Sequence, residues 1–177
     1  MNRKIKINSI LSMLIIAVLG QWSCKDRTPL SAEQVVAGGY YVKIEIPAGD
    51  LVQQDYLPAL GNIANIRHGN EEHAEVLILG SRKGIGIEQN IWPVALLKFK
   101  RHGKESKVII AVPFDKSERI IPVSSFAELA VQHGHIKRIV EEWYSGRGGI
   151  SKVENLLWEN ENQALKYLLE LVNPHDL

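Results

Sequence analysis

The feature that most constrains this chain is a change of hydrophobic period near Ser125. Ahead of it, apolar residues come in short runs or alternate with polar ones, the signature of strands. YYVKIEIP (Tyr40–Pro47) alternates with period two and is stopped by Pro47. AEVLILG (Ala74–Gly80), WPVALLKF (Trp92–Phe99) and KVIIAVP (Lys107–Pro113) read as three more strands, and RIIPV (Arg119–Val123) as a short fifth. Pro58, Gly61 and Asn62 break any regular pattern, so residues 48–70 are expected to be mostly loop. KRHGKES reads as a charged hairpin loop. From Ser125 the period becomes helical. Ser125 and Glu128 form a capping box, and Leu129, His133, Ile136, Val140 and Trp143 fall on one face until GRGG at Gly146–Gly149. After a short KVENLLW segment, Ala164, Leu165, Leu168, Leu169 and Val172 mark a second amphipathic helix closed by Asn173–Pro174. Strands first and helices later predict a small α+β domain, a barrel with helices packed on it.

The first residues are set apart from that domain. Arg3, Lys4 and Lys6 precede an apolar stretch, Ser9–Gly20, that is short for a membrane-crossing helix. It ends at QWSC, which places the only cysteine, Cys24, just beyond it. A small residue followed by cysteine here resembles a bacterial lipoprotein signal with Cys24 as the lipidated residue, although Gln21 and Trp22 depart from the usual pattern. An ordinary cleaved signal and an uncleaved anchor remain open. The expected division is a signal peptide over 1–23, a polar, Pro-containing tether over 24–39 and one domain over 40–177. With its cysteine at the anchor the domain has no internal disulfide and relies on packing. A net charge of +1 gives no reason to expect nucleic acid, and argues against electrostatic membrane binding beyond the anchor.

In order, YYVKIEIPAGD, WPVALLKF, KVIIAVP, IVEEWY and SKVE resemble the backbone of the soluble family I inorganic pyrophosphatases. The resemblance covers about residues 40–158. It implies a five-stranded OB-like β-barrel with two flanking helices, and hydrolysis of diphosphate to two phosphates with Mg²⁺. In that chemistry aspartates hold hard cations, while lysine, arginine and tyrosine clamp the phosphates.

Carried over residue by residue, the resemblance places HGNEEHAEVLIL (His68–Leu79) where the family has its acidic D-x-D-P-x-D motif. Glu75 falls on the last aspartate, Glu72 on the middle one, Asn70 on the first and His73 on the proline. The glutamate of IEIP is kept as Glu45. Further along, two metal-binding aspartates fall on Arg101 and Ser106, and a lysine on Val108 with Lys107 one residue away. A phosphate-binding lysine lands on Gln54, and the Tyr–Lys pair of the helix becomes Trp143–Tyr144. The resemblance therefore implies metal candidates Glu45, Glu72 and Glu75, with His73 as a further one, and phosphate-facing candidates Lys107 and Tyr144. Mg²⁺ requires near-octahedral geometry at short distance, so replacing aspartates with glutamates is not conservative. An inward guanidinium at Arg101 would repel a cation by roughly 4 kcal/mol per charge at about 4 Å. The pattern describes an eroded active site.

Several readings stay open. His68, Glu72, His73 and Glu75 would suit Mn²⁺ or Zn²⁺ as a remodelled site, with His73 and Glu75 sharing a face if the strand reaches back that far. The same stretch also reads as a solvated acidic loop, with no cation. His133 and His135 fall on different faces of the expected helix, His133 toward the core, which favours a structural role. Gly84-Ile-Gly86 and SGRGGISK lack the P-loop pattern and read as turns. Two function classes follow: an exported, weakened or metal-altered pyrophosphatase acting on diphosphate, or a non-catalytic periplasmic or surface module reusing the barrel. The second would bind an unknown protein partner or a second copy, with membrane contact through the anchor alone.

Overall fold

The computed structural model describes residues 32–52, 55–56, 61–68, 71–146 and 153–172; at 32–33, 51–52, 55–56, 67–68 and 71–73 it describes the course of the backbone alone. The expected signal peptide, Cys24 and the first part of the tether lie outside the described residues, as do Gln54 and Asn70. The end of the expected tether is an element, helix α1 (Ala32–Gly38), because Val35 is fully buried against the domain.

Among the described residues eight strands follow: β1 (Tyr40–Ile46), β2 (Leu51–Val52), β3 (Asp55–Tyr56), β4 (Gly61–His68), β5 (Glu71–Leu79), β6 (Glu88–Arg101), β7 (Lys104–Pro113) and β8 (Val153–Asn160). β2 and β3 pair only with each other. The large sheet runs β1-β4-β5-β7-β6-β8, and β1 also pairs with β6. That extra pairing closes β1, β4, β5, β7 and β6 into a ring of five, with β8 added outside on β6. β5 and β7 are parallel and the other pairs antiparallel. Helices α2 (Phe126–Gln132), α3 (Gly134–Gly146) and α4 (Glu161–Val172) complete the α+β domain.

Several sequence expectations change. The stretch expected to be mostly loop contains β4, because β1 and β5 on its two sides supply ladder partners. Buried Asn62 serves that arrangement. Its side-chain oxygen accepts from the Ala48 and Lys83 amides, both at 3.0 Å, and its Nδ2 donates to the Ser81 carbonyl at 2.9 Å. The charged loop between β6 and β7 contracts to His102–Gly103, since the strands pair out to Arg101–Lys104. Both turn residues have positive φ, 52° and 75°, as a tight hairpin requires. Pro93 sits inside β6 at a register shift, where its missing donor is tolerated.

The expected fifth strand at Arg119–Val123 does not form. There Arg119 donates to the carbonyls of Pro113, Phe114 and Val123 and to the Ser124 hydroxyl, so its guanidinium takes the place of a ladder. The strand that completes the sheet is β8, from the segment around KVENLLW. The single helix expected from Ser125 is two, broken at His133 (φ −128°, ψ 37°), which caps α2. His133 is half-buried at that junction, and its ring lies 6.1 Å from that of His135, centroid to centroid, instead of facing away from it. The Ser125 cap holds, with Oγ accepting from the Glu128 amide at 3.3 Å. Glu161 of α4 accepts from the Phe126 amide at 3.0 Å, tying α4 to the start of α2.

Two apolar cores result. The first draws on all five ring strands, through Val42, Ile44, Ala64, Val76, Ile91, Ile109 and neighbours, and is closed by Val35 of α1 and Ala164 and Leu168 of α4. The second lies on the other face, where Ile63, Leu77, Leu97, Val108 and Ile110 meet Leu129, Val140 and Tyr144. Alternation along each strand deals successive residues to opposite cores.

Candidate functional site

The candidate site lies at the margin of the second core, where four strands and α3 bring polar groups together. On β5, Leu77 and Leu79 point into this core and Val76 and Ile78 into the other, so Glu75 shares the face of Leu77. Asn65, opposite Glu75 on β4, takes the same face as Ile63. Glu45 falls where the β1–β4 register shifts between Ile44–Ala64 and Ile46–Ile63. The shift turns Ile46 toward the second core while Ile44 stays in the first. Asn65 Nδ2 donates to Glu45 Oε2 at 2.7 Å.

The fourth member is Tyr144, near the end of α3. Its ring is 1% exposed and lies 5.6 Å from Phe99 and 4.7 Å from Trp143, centroid to centroid. Its hydroxyl donates to Glu75 Oε1 at 2.5 Å. Helical spacing explains the placement: Ile136, Val140 and Tyr144 are four apart and all buried on one face. Arg101 stands on the same margin. Its Nη2 donates to the Tyr144 carbonyl at 2.7 Å, and its guanidinium carbon lies 5.4 Å from the Phe99 ring centroid. The carboxylates thus form a line, Glu45–Asn65 across from Glu75–Tyr144, with a fixed positive charge at the helix end.

Of the sequence candidates, Glu45, Glu75 and Tyr144 are brought into this line. Lys107 is not. Val108 belongs to the second core and Ile109 to the first, so Lys107 faces away from Glu75. Its Nζ lies 4.9 Å from the Tyr167 ring centroid and 3.8 Å from Glu105 Oε1. On that side burial, with Glu170 and Glu105 nearby, pushes the Tyr167 hydroxyl pKa upward. Lys107 is therefore withdrawn as a phosphate-facing residue of the Glu75 site. Glu72 and His73 are described by backbone alone, as is His68 at the end of β4. The strand does reach back to Glu71, but the β4–β5 register jumps from Ala74 to Glu72. His73 is the extra residue at that irregularity of the backbone register. The sequence does not single out Asn65, because its segment lacks the pattern of a strand.

No protein-family model matches this chain, and no curated protein matches it in sequence. Solved structures do. The inorganic pyrophosphatase of Thermus thermophilus superposes with a TM-score of 0.62 at 14% identity, covering 76% of this chain and 89% of that one. The fold is that of the inorganic pyrophosphatases. The Neisseria gonorrhoeae inorganic pyrophosphatase gives 0.58 at 19% identity, covering 85% and 96% of the two chains. The Plasmodium falciparum type I inorganic pyrophosphatase gives 0.61 at 11% identity, covering 78% of this chain and 59% of that one.

The pyrophosphatase fold raises the question of a divalent cation. No three His, Cys, Asp or Glu side chains among the described residues are grouped to hold an ion. Glu45 is engaged by the Asn65 amide and Glu75 by the Tyr144 hydroxyl. A hard cation takes six or more oxygen ligands, several of them carboxylate or water. Among the described side chains, Glu45 and Glu75 by themselves do not supply that set.

Proposed function

We propose that this chain is an exported lipoprotein of the pyrophosphatase fold, anchored through Cys24, in which the reaction of diphosphate with water is weak or lost. The observation that carries this reading is the Tyr144–Glu75 hydrogen bond. A buried phenol that donates to the last carboxylate of the acidic stretch occupies a ligand position with a proton donor. Any cation bound there must displace that donor or share the carboxylate with it. Mg²⁺ is the cation the fold suggests, with Mn²⁺ or Zn²⁺ better suited if His73 takes part.

A second reading, a non-catalytic surface or periplasmic binding module, is favoured by Arg101 and its bond to the Tyr144 carbonyl. A guanidinium fixed on the margin lowers the affinity of the same face for cations. The two readings separate in one assay. Phosphate release from diphosphate is measured for the full chain with Mg²⁺, Mn²⁺ and Zn²⁺ in turn, beside Glu75→Ala. Weak release that Glu75→Ala abolishes supports the enzyme reading. Absence of release from folded protein with every metal shows that the reaction is lost and leaves the module reading. Turnover at the level of an efficient enzyme would overturn both.

A further inference from the structure

Glu45, Asn65 and Glu75 stand on three neighbouring strands, β1, β4 and β5, with the amide in the middle. Asn65 is directly opposite Glu75, which sets their Cβ atoms roughly 5 Å apart. Glu45 arrives by another route. Ile44 pairs with Ala64 and Ile46 with Ile63, so Glu45 is the extra residue of a bulge. A bulge re-aims the side chain it carries. Here the carboxylate meets the Asn65 amide at 2.7 Å.

An ionised carboxylate only accepts hydrogen bonds, so two of them in one row are reconciled by donors or by a cation. Asn65 Nδ2 donates to Glu45, and the Tyr144 hydroxyl donates to Glu75. Both donors are neutral and both belong to the protein. Asparagine and aspartate have nearly the same size and shape, and differ in that only the amide offers N–H groups. Aspartate at position 65 would therefore remove a donor and leave three carboxylates side by side on three strands. Such an oxygen-rich set is what a hard divalent cation takes.

We propose that Asn65 is a positioning residue that sets how this margin treats cations. Its amide fixes Glu45 and separates it from Glu75, so that the row is held by internal donors in place of a metal. This role rests on the reading of the margin as a weakened hydrolase site, and names the residue on which its cation affinity turns. It also makes Asn65 more than a filler of β4: one changed group at this place converts a row held by the protein into one that needs an ion.

The test compares the full chain with Asn65→Asp and with Asn65→Asp combined with Glu45→Gln, which exchanges donor and acceptor. Tm is measured in EDTA and in Mn²⁺, and Mn²⁺ binding by the paramagnetic resonance signal of the free ion. The parent is expected to melt at the same temperature in both. Asn65→Asp should melt about 4–8 °C lower in EDTA, recover in Mn²⁺, and bind the ion at least about tenfold more tightly than the parent. The exchanged pair should regain about half or more of that loss without the ion. A lower Tm that neither Mn²⁺ nor the exchange reverses would mark Asn65 as merely structural and overturn the proposal. A parent that binds Mn²⁺ as tightly as Asn65→Asp overturns it too. If Asn65→Asp does not fold even with Mn²⁺, the exchanged pair decides: folding upholds the role of Asn65, and failure to fold overturns it. Phosphate release from diphosphate by the parent is read in the same samples. Efficient turnover there overturns the weakened-site reading, while the Tm comparison and Mn²⁺ binding decide Asn65 separately.

Discussion

β5 and β7 run side by side in parallel, and their two faces differ in kind. On one face Val76, Ile78, Ile109 and Ala111 meet side chains from every ring strand and from α1 and α4. On the other, Leu77, Leu79, Val108 and Ile110 are just as buried, but the face ends in Glu75, Asn65, Tyr144 and Arg101. The first face is sealed by helices at its edge and is held by packing. The second is open enough at its margin to keep half-buried charges, and there the residues are fixed by hydrogen bonds. Packing on the two faces is separable from the polar chemistry at one margin, because apolar contacts place no demand on which polar group stands beside them.

That contrast can be broken by experiment. The largest effect is expected in the all-apolar face: Ile109→Ala should cost about 2–5 kcal/mol of unfolding free energy in denaturant titration. A loss below about 1 kcal/mol would mean that this face is not the main core. Next comes Tyr144→Phe, which keeps the buried ring and removes only the donor to Glu75. It should cost about 1–2 kcal/mol, and Glu75→Gln together with it should cost little more. Additive losses from the two changes would show that the Tyr144–Glu75 contact is not coupled in solution.

A smaller effect is expected at Lys107. Lys107→Met removes the contact with the Tyr167 ring and should change stability by about 0.5–1 kcal/mol. Any residual phosphate release should be unaffected; a loss of release with stability unchanged would return Lys107 to the site. The smallest effect concerns pH and lies outside both faces. Hydrogen bonds from Gln89 and then Lys83 hold the Glu118 pKa below its ordinary value of 4.5. A carboxyl whose folded pKa is depressed contributes stability above its unfolded pKa and loses it as pH falls through the folded value. Stability should therefore decline more steeply below about pH 4.5 in the parent than in Glu118→Gln. Identical acid limbs would remove Glu118 from the account.

Much of the ring was legible because β1, β5, β6 and β7 carry apolar residues in patterns few other structures accommodate. β4 was not. Gly61, Asn62 and Asn65 are poor strand formers, and the segment pairs because β1 and β5 flank it. Lys107 shows a second limit. β7 is buried on both faces beyond Lys107, so no polar alternation in the sequence says which core the lysine joins. The helix break at His133 is a third. The apolar spacing runs through it without interruption, and only the geometry of the junction separates α2 from α3.

By itself the sequence determined the local course of the chain: a run of strands, a capped switch to helices at Ser125, and a carboxylate at each of Glu45 and Glu75. These follow from short-range rules, in which side-chain period and cap chemistry act within a few residues. Tertiary structure alone decided what those carboxylates touch. Asn65 reaches Glu45 across twenty positions and Tyr144 reaches Glu75 across sixty-nine. A hydrogen bond forms where two backbones are brought within about 3 Å of the right geometry, and for residues so far apart that distance is set by the closed ring and the helix packed on it.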